Sequence, residues 1–118
     1  MRLFVTGATG YIGAHFVKTA AEAGHEIIAT DYNLNQNDIE KYCTRVVQWD
    51  IRVNRPAFYG GFDKVVHIAA KTKVPNSLKF PYDYYTTNIN GTKNVIDAAQ
   101  CDHFVYCSTG SAFSPESN

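Results

Sequence analysis

Near its amino terminus the chain reads Thr6-Gly7-Ala8-Thr9-Gly10-Tyr11-Ile12-Gly13, three glycines at G-x-x-G-x-x-G spacing. In front of it, Leu3-Phe4-Val5 is a short apolar run of the kind that forms a buried strand. Behind it, residues 12–23 show helical periodicity, with Ile12, Phe16, Val17 and Ala20 on one face and Gly24 as the stop. In a strand–turn–helix unit each glycine has a physical task. Gly7 allows the tight turn, Gly10 removes a side chain where backbone must approach a pyrophosphate, and Gly13 lets the helix pack close on the strand. The free N–H groups at the helix start, on Tyr11, Ile12 and Gly13, then face the diphosphate. The spacing departs from the G-x-G-x-x-G of the general fingerprint, and a glycine triplet alone is a weak signal.

An acid strengthens it. Glu26-Ile27-Ile28-Ala29-Thr30-Asp31 reads as a second strand, and Asp31 closes it 18 residues after Gly13. A carboxylate there accepts hydrogen bonds from the ribose hydroxyls of adenosine. It would repel a 2′-phosphate, which favours NAD over NADP. The competing reading of Asp31 is a loop cap.

Outward from this unit, apolar runs alternate with helical patterns. Residues 32–42 are polar and expected to hold a short helix, Arg45-Val46-Val47-Gln48 is a third strand, and Lys64-Val65-Val66-His67-Ile68-Ala69 a fourth. Residues 84–100 have helical spacing through Tyr85, Ile89, Val95, Ile96 and Ala99. Gly91 within them marks a close helix–sheet contact. His103-Phe104-Val105-Tyr106-Cys107 is a fifth strand. Strand–helix–strand repetition implies parallel strands joined by crossovers, and the strands read as apolar on both faces. The expected fold is therefore an α/β doubly wound, Rossmann-like parallel sheet of order 3-2-1-4-5, truncated before any remaining strands. Ligands on such sheets sit beyond the carboxyl ends of the strands, at the switch between strands 1 and 4.

Composition bounds the rest. The 118 residues are one domain's worth of chain, and 45% hydrophobic with 19% charged residues excludes disorder, collagen and coiled coil. Eleven basic against eleven acidic residues leave no electrostatic footprint for nucleic acid. No apolar run reaches the roughly 20 residues of a membrane helix. Three cysteines, Cys43, Cys101 and Cys107, form no disulfide framework, which points to a reducing, cytoplasmic setting.

At this point the chain resembles a known family. The residues from Thr6 to His15, taken with Asp31, resemble the extended short-chain dehydrogenase/reductase group, the NAD-dependent sugar-nucleotide epimerases and dehydratases. Four further blocks fit in order. Asp50-Ile51-Arg52 resembles the motif after strand 3 whose carboxylate meets the adenine amino group. Val66-His67-Ile68-Ala69-Ala70 resembles the stretch after strand 4 that lies along the cofactor. Tyr84-Tyr85-Thr86-Thr87-Asn88-Ile89-Asn90-Gly91-Thr92-Lys93-Asn94 resembles the helix whose Asn88 supports the nicotinamide side. Phe104-Val105-Tyr106-Cys107-Ser108-Thr109 resembles the strand 5 segment that ends in the catalytic Ser/Thr, here Thr109. The resemblance thus implies cofactor contacts from Gly7, Gly10, Tyr11, Ile12, Gly13, Asp31, Asp50, Ile51, Ile68, Ala69, Ala70, Asn88 and Cys107, and no metal. It spans residues 1–113, expected to be an incomplete NAD-binding domain, with residues 114–118 a frayed tail.

Two departures stand out. The family usually has a Lys five residues after the motif His, where this chain has Thr72 between Lys71 and Lys73. After Thr109 the usual Val-Tyr-Gly is Ala112-Phe113-Ser114. A third concerns chemistry. The family's Tyr-x-x-x-Lys pair, which removes the proton of the sugar hydroxyl as hydride leaves for NAD, has no counterpart after Thr109, and a substrate domain is absent. The chain alone is therefore expected to be inactive. Its place is either the NAD-binding part of an enzyme acting on a nucleotide-sugar substrate, a non-catalytic dinucleotide sensor, or a fragment completed by a second chain. The resemblance also implies a homodimer or other self-association, through strand 5 or the helix within residues 84–100.

The remaining residues have plain readings. His67 at a strand end reads as a packed histidine bonded to backbone, His15 and His25 as surface and turn residues, and Trp49 as an edge-of-core residue. Cys101, His103 and Cys107 match no zinc spacing, and alternation places Cys107 in the core. Tyr82, Tyr84 and Tyr85 pack a helix start or a sugar-site wall, and Lys71 and Lys73 are solvated.

Overall fold

The computed structural model describes residues 1–68 and 86–107. Five parallel strands form one sheet: β1 (Arg2–Thr6), β2 (Glu26–Asp31), β3 (Arg45–Gln48), β4 (Phe62–His67) and β5 (Cys101–Tyr106), in the order β3-β2-β1-β4-β5. The expected order is observed. Helix α1 (Tyr11–Glu22) joins β1 to β2, and helix α2 (Gly91–Ala98), entered through a π-helical turn Thr86–Asn90, precedes β5.

Side-chain alternation along the strands builds two cores. Leu3 and Val5 of β1, Ile27 and Ala29 of β2 and Val66 of β4 face α1, where they pack with Val17 and Ala20. Phe4, Ile28 and Val65 face the other way and pack with Trp49, Ile51, Phe62, Val95, Ala98 and Ala99. The three central strands are thus covered on both sides. The outer two are not: β3 is half-buried at best, and β5 exposes Val105 and Tyr106. The expectation of apolar strands buried on both faces fails at these edges, because only one neighbouring strand protects each among the described residues.

The helices keep most of their expected faces, with Val17, Ala20, Val95 and Ala99 buried and Phe16 packed against the core, but the isoleucines lie off them. On α1 the buried residues are Gly13, Val17 and Ala20, spaced i, i+4 and i+7, whereas Ile12 lies about 100° round the helix and is exposed. On α2, Gly91, Val95 and Ala98 are buried while Ile96 faces outward, as does Ile89 on the turn before it. Gly91 does make a close approach, but to the Ile51 side chain rather than to the sheet: a Cβ there would lie 2.7 Å from Ile51 Cδ1. Residues 32–42 form only a short 3-10 turn, Glu40–Tyr42, since the polar stretch before it folds onto the glycine turn. Strands β4 and β5 both begin two residues earlier than expected.

The β1–α1 unit carries the tightest constraint. Gly7 adopts φ +64°, the left-handed region that favours glycine. One turn later Gly13 lies against it. A Cβ on Gly13 would stand 2.8 Å from Gly7 C and 2.9 Å from Ala8 Cα, and closer still to the Gly7 carbonyl oxygen. These are backbone atoms that cannot swing away. Gly13→Ala is therefore expected to lose about 3 kcal/mol in urea unfolding, and Gly10→Ala about 1 kcal/mol or less. Equal losses would show that the helix does not sit on the turn in this way.

Candidate functional site

All five strands are parallel, so their carboxyl ends share one edge of the sheet. Register places Val47, Thr30, Thr6, His67 and Tyr106 in one row across it. The glycine turn leaves β1 just beyond this row. Gly10 is the residue before α1; it has extended backbone (φ −70°, ψ 175°), and no side chain caps the helix. The first helical N–H groups have no partner inside the helix, and Ala14 N–H supplies the first helical bond, to Gly10 O at 2.8 Å. A Cβ at Gly10 would meet only Gly7 O at 3.5 Å and Gln36 Oε1 at 3.8 Å, ordinary contacts. A Cβ there would fit without a clash, and the neighbouring Tyr11 and Ile12 are exposed.

Asp31 is 6% exposed, and its carboxylate is tied to the turn. Thr9 N–H donates to Oδ2 at 3.1 Å and Thr9 Oγ1 at 2.9 Å, while Tyr32 N–H donates to Oδ1 at 2.8 Å. Thr9 Oγ1 also lies 2.7 Å from Asn33 O, and Asn37 Nδ2 donates to Thr9 O at 2.7 Å. Asp31 is therefore a cap, as its competing reading held, and it also stands beside the turn. The two features identified separately in the sequence meet through one residue that reading missed, Thr9. A hydroxyl in a glycine turn, opposite an acid that closes the next strand, was the available signal.

The other sequence-derived positions divide. Asp50 holds Arg52 in a bidentate pair (Nε to Oδ1 3.0 Å, Nη2 to Oδ2 2.7 Å). Ile51 is buried under Gly91, and its carbonyl accepts from Asn94 Nδ2 at 2.8 Å. Ile68 N–H donates to Thr6 Oγ1 at 3.0 Å. Asn88 sits on the π-helical turn, its carbonyl accepting from Thr92 Oγ1 at 2.7 Å. Cys107 follows β5 and is exposed rather than in the core, with its N–H bonded to His67 O. The strand ends at Tyr106, so alternation no longer governs Cys107. Ala69, Ala70 and Thr109 lie outside the described residues, as do Lys71, Thr72 and Lys73. No cluster of metal-binding side chains occurs among the described residues. A cleft of about 880 Å³ lies at the opposite, amino-terminal edge of the sheet, by Arg2, Gly61, Asp63 and Phe104, remote from the turn.

His67 is fully buried, and its ring bonds to two side-chain hydroxyls rather than to backbone. Proton counting fixes its tautomer. Thr92 gives its one hydroxyl proton to Asn88 O, so it accepts from His67 Nε2–H at 3.0 Å. Nδ1 is then the acceptor of the Thr6 hydroxyl at 2.7 Å. Burial lowers the His67 pKa to about 4, so the ring stays neutral near pH 7. The imidazole joins the strand that carries the glycine turn to the helix that carries Asn88.

A neutral buried histidine makes stability depend on pH. Its folded pKa lies below the ordinary value near 6.5, so below that value the unfolded state binds the extra proton. The contribution is complete above about pH 6.5 and is lost as the pH falls towards 4, by about 3 kcal/mol in all. Unfolding curves of the chain and of His67→Gln, compared from pH 7.5 to 4, are expected to converge by that order. A constant difference would contradict the neutral assignment.

Comparison with known proteins gives the family and the fold. A model of the NAD dependent epimerase/dehydratase family matches residues 3–118. UDP-glucose 4-epimerase of Corynebacterium glutamicum is 28% identical over 119 residues, covering 96% of this chain and 36% of the relative. That of Halalkalibacterium halodurans is 33% identical over 106 residues, 81% of this chain and 30% of the relative. The crystal structure of UDP-glucose-4-epimerase from Stenotrophomonas maltophila, with bound NAD and formylated UDP-arabinopyranose, superposes with a TM-score of 0.82 at 29% identity, covering 97% of this chain and 38% of that one. The chain spans between three and four tenths of the length of these relatives. It belongs to the NAD dependent epimerase/dehydratase family.

Proposed function

We propose that this member of the epimerase/dehydratase family binds NAD at the carboxyl edge of its sheet, as the cofactor-binding part of an enzyme for a nucleotide sugar. The observation that carries this reading is the direct contact between the glycine turn and Asp31, through Thr9 at 3.1 and 2.9 Å. In a dinucleotide the diphosphate and the adenosine ribose are neighbours, so a site for both needs its amide cradle and its acid side by side. The residues fit such a group: the helix start has no side-chain cap, and Gly10 places no side chain beside it.

In this reading the N–H groups of Tyr11, Ile12 and Gly13 bind the diphosphate and Asp31 binds the ribose. Asp50 and Ile51 flank the adenine, Ile68 lies along the cofactor, and Asn88 and Cys107 stand towards the nicotinamide; Ala69, Ala70 and Thr109 are proposed for the same site on the family resemblance alone. NAD itself supplies a hydride acceptor. The function proposed for these residues is binding of the cofactor, with turnover of the sugar proposed for the whole enzyme. Exposed Ile89, Ile96, Val105 and Tyr106 support self-association through α2 or β5, in a protein without membrane-spanning helices among its described residues.

Titration calorimetry tests the binding. NAD is expected to bind the chain in the micromolar range or weaker, with NADP at least tenfold weaker because its 2′-phosphate meets Asp31. Gly10→Val is expected to keep the fold and abolish the heat of binding. Binding of NAD that is indifferent to Gly10→Val would place the cofactor elsewhere, and a folded chain with no affinity would reject the proposal.

A further inference from the structure

We propose that Thr9 is the positioning residue that sets the Asp31 carboxylate for the adenosine ribose. This rests on the NAD reading and adds a residue that the glycine fingerprint leaves unassigned. A carboxylate rotates easily about its last side-chain bond, so its oxygens need outside restraint to present a fixed geometry. Thr9 provides it twice, with N–H and Oγ1 both on Oδ2, and Tyr32 N–H holds Oδ1. Thr9 is 1% exposed, and its carbonyl is in turn held by Asn37 Nδ2.

The arrangement still leaves room for a ligand. An ionised carboxylate has about four acceptor sites, more than these three bonds fill. The Thr9 hydroxyl has one proton and two acceptors in reach, Asp31 Oδ2 at 2.9 Å and Asn33 O at 2.7 Å. A ribose hydroxyl takes the site that remains beside the Tyr32 bond on Oδ1, while Thr9 N–H and Oγ1 keep holding Oδ2. Vicinal ribose hydroxyls are the ligand chemistry this suits.

The test is a double-mutant cycle read by NAD affinity. Thr9→Val keeps the volume and removes the hydroxyl. It is expected to weaken NAD about tenfold, as loss of a charge-assisted hydrogen bond does, and to narrow discrimination against NADP. Thr9→Ser is expected to restore affinity to within about threefold. In an Asp31→Ala background, Thr9→Val is expected to add nothing, which a general structural role would not produce. Wild-type affinity in Thr9→Val, or an equal loss in both backgrounds, overturns the inference. A folded wild-type chain that binds no NAD overturns the functional reading and this one with it, a result distinct from a cycle that is flat while wild type binds. Thr9→Ala removes the same hydroxyl and carries the cycle should Thr9→Val not fold.

Discussion

The contact of Gly13 with the backbone of Gly7 and Ala8 governs what the molecule can do. It lets α1 start directly against the end of β1, at a separation no side chain would permit. Because the helix begins there, its first N–H groups lie at the carboxyl edge of the sheet, without a side-chain cap. Because β1 is the central strand, that position lies between β2, which ends in Asp31, and β4, which ends in His67. A larger residue at position 13 would push the helix outward and separate the amide cradle from the acid. Packing and binding geometry are thus one constraint at this turn.

Two buried polar connections keep the surrounding edge in place. Asp31 ties the turn to the end of β2, and His67 ties β1 to the helix behind Asn88. In both cases threonine hydroxyls take part in the link: Thr9 for Asp31, and Thr6 and Thr92 for His67. Such links cost free energy if a partner is lost, because the remaining polar group is buried. The carboxyl edge is therefore cross-linked at these two places, and the outer strands, less covered, carry exposed apolar side chains.

Strand order and the glycine turn were legible in the sequence because their signals are local: apolar runs, helical spacing, and glycines whose task follows from backbone sterics. Gly7 and Gly13 do what their spacing implied. The helix faces were less legible. Ile12 and Ile96 have core-forming side chains, but the position of the turn and the contact of Gly91 with Ile51 set the rotation of each helix, and those are tertiary facts. At the site, Asp31 could be placed from its distance to the glycines, but its bonds to Thr9 could not, since they join residues on different elements 22 positions apart. The same holds for His67, whose partners Thr6 and Thr92 lie 61 and 25 positions away. The sequence marked the chemistry of these groups, and only folding showed which neighbour holds each of them.

The central claim is that a dinucleotide binds where the β1–α1 turn meets the end of β2. The most direct measurement is an amide NMR titration of the isotope-labelled chain with NAD. The account predicts saturable shifts in the amides of Ala8 to Gly13 and of Asp31 and Tyr32. Shifts confined to the opposite edge, at Arg2, Gly61 and Asp102, or no shifts at saturating NAD, would contradict it.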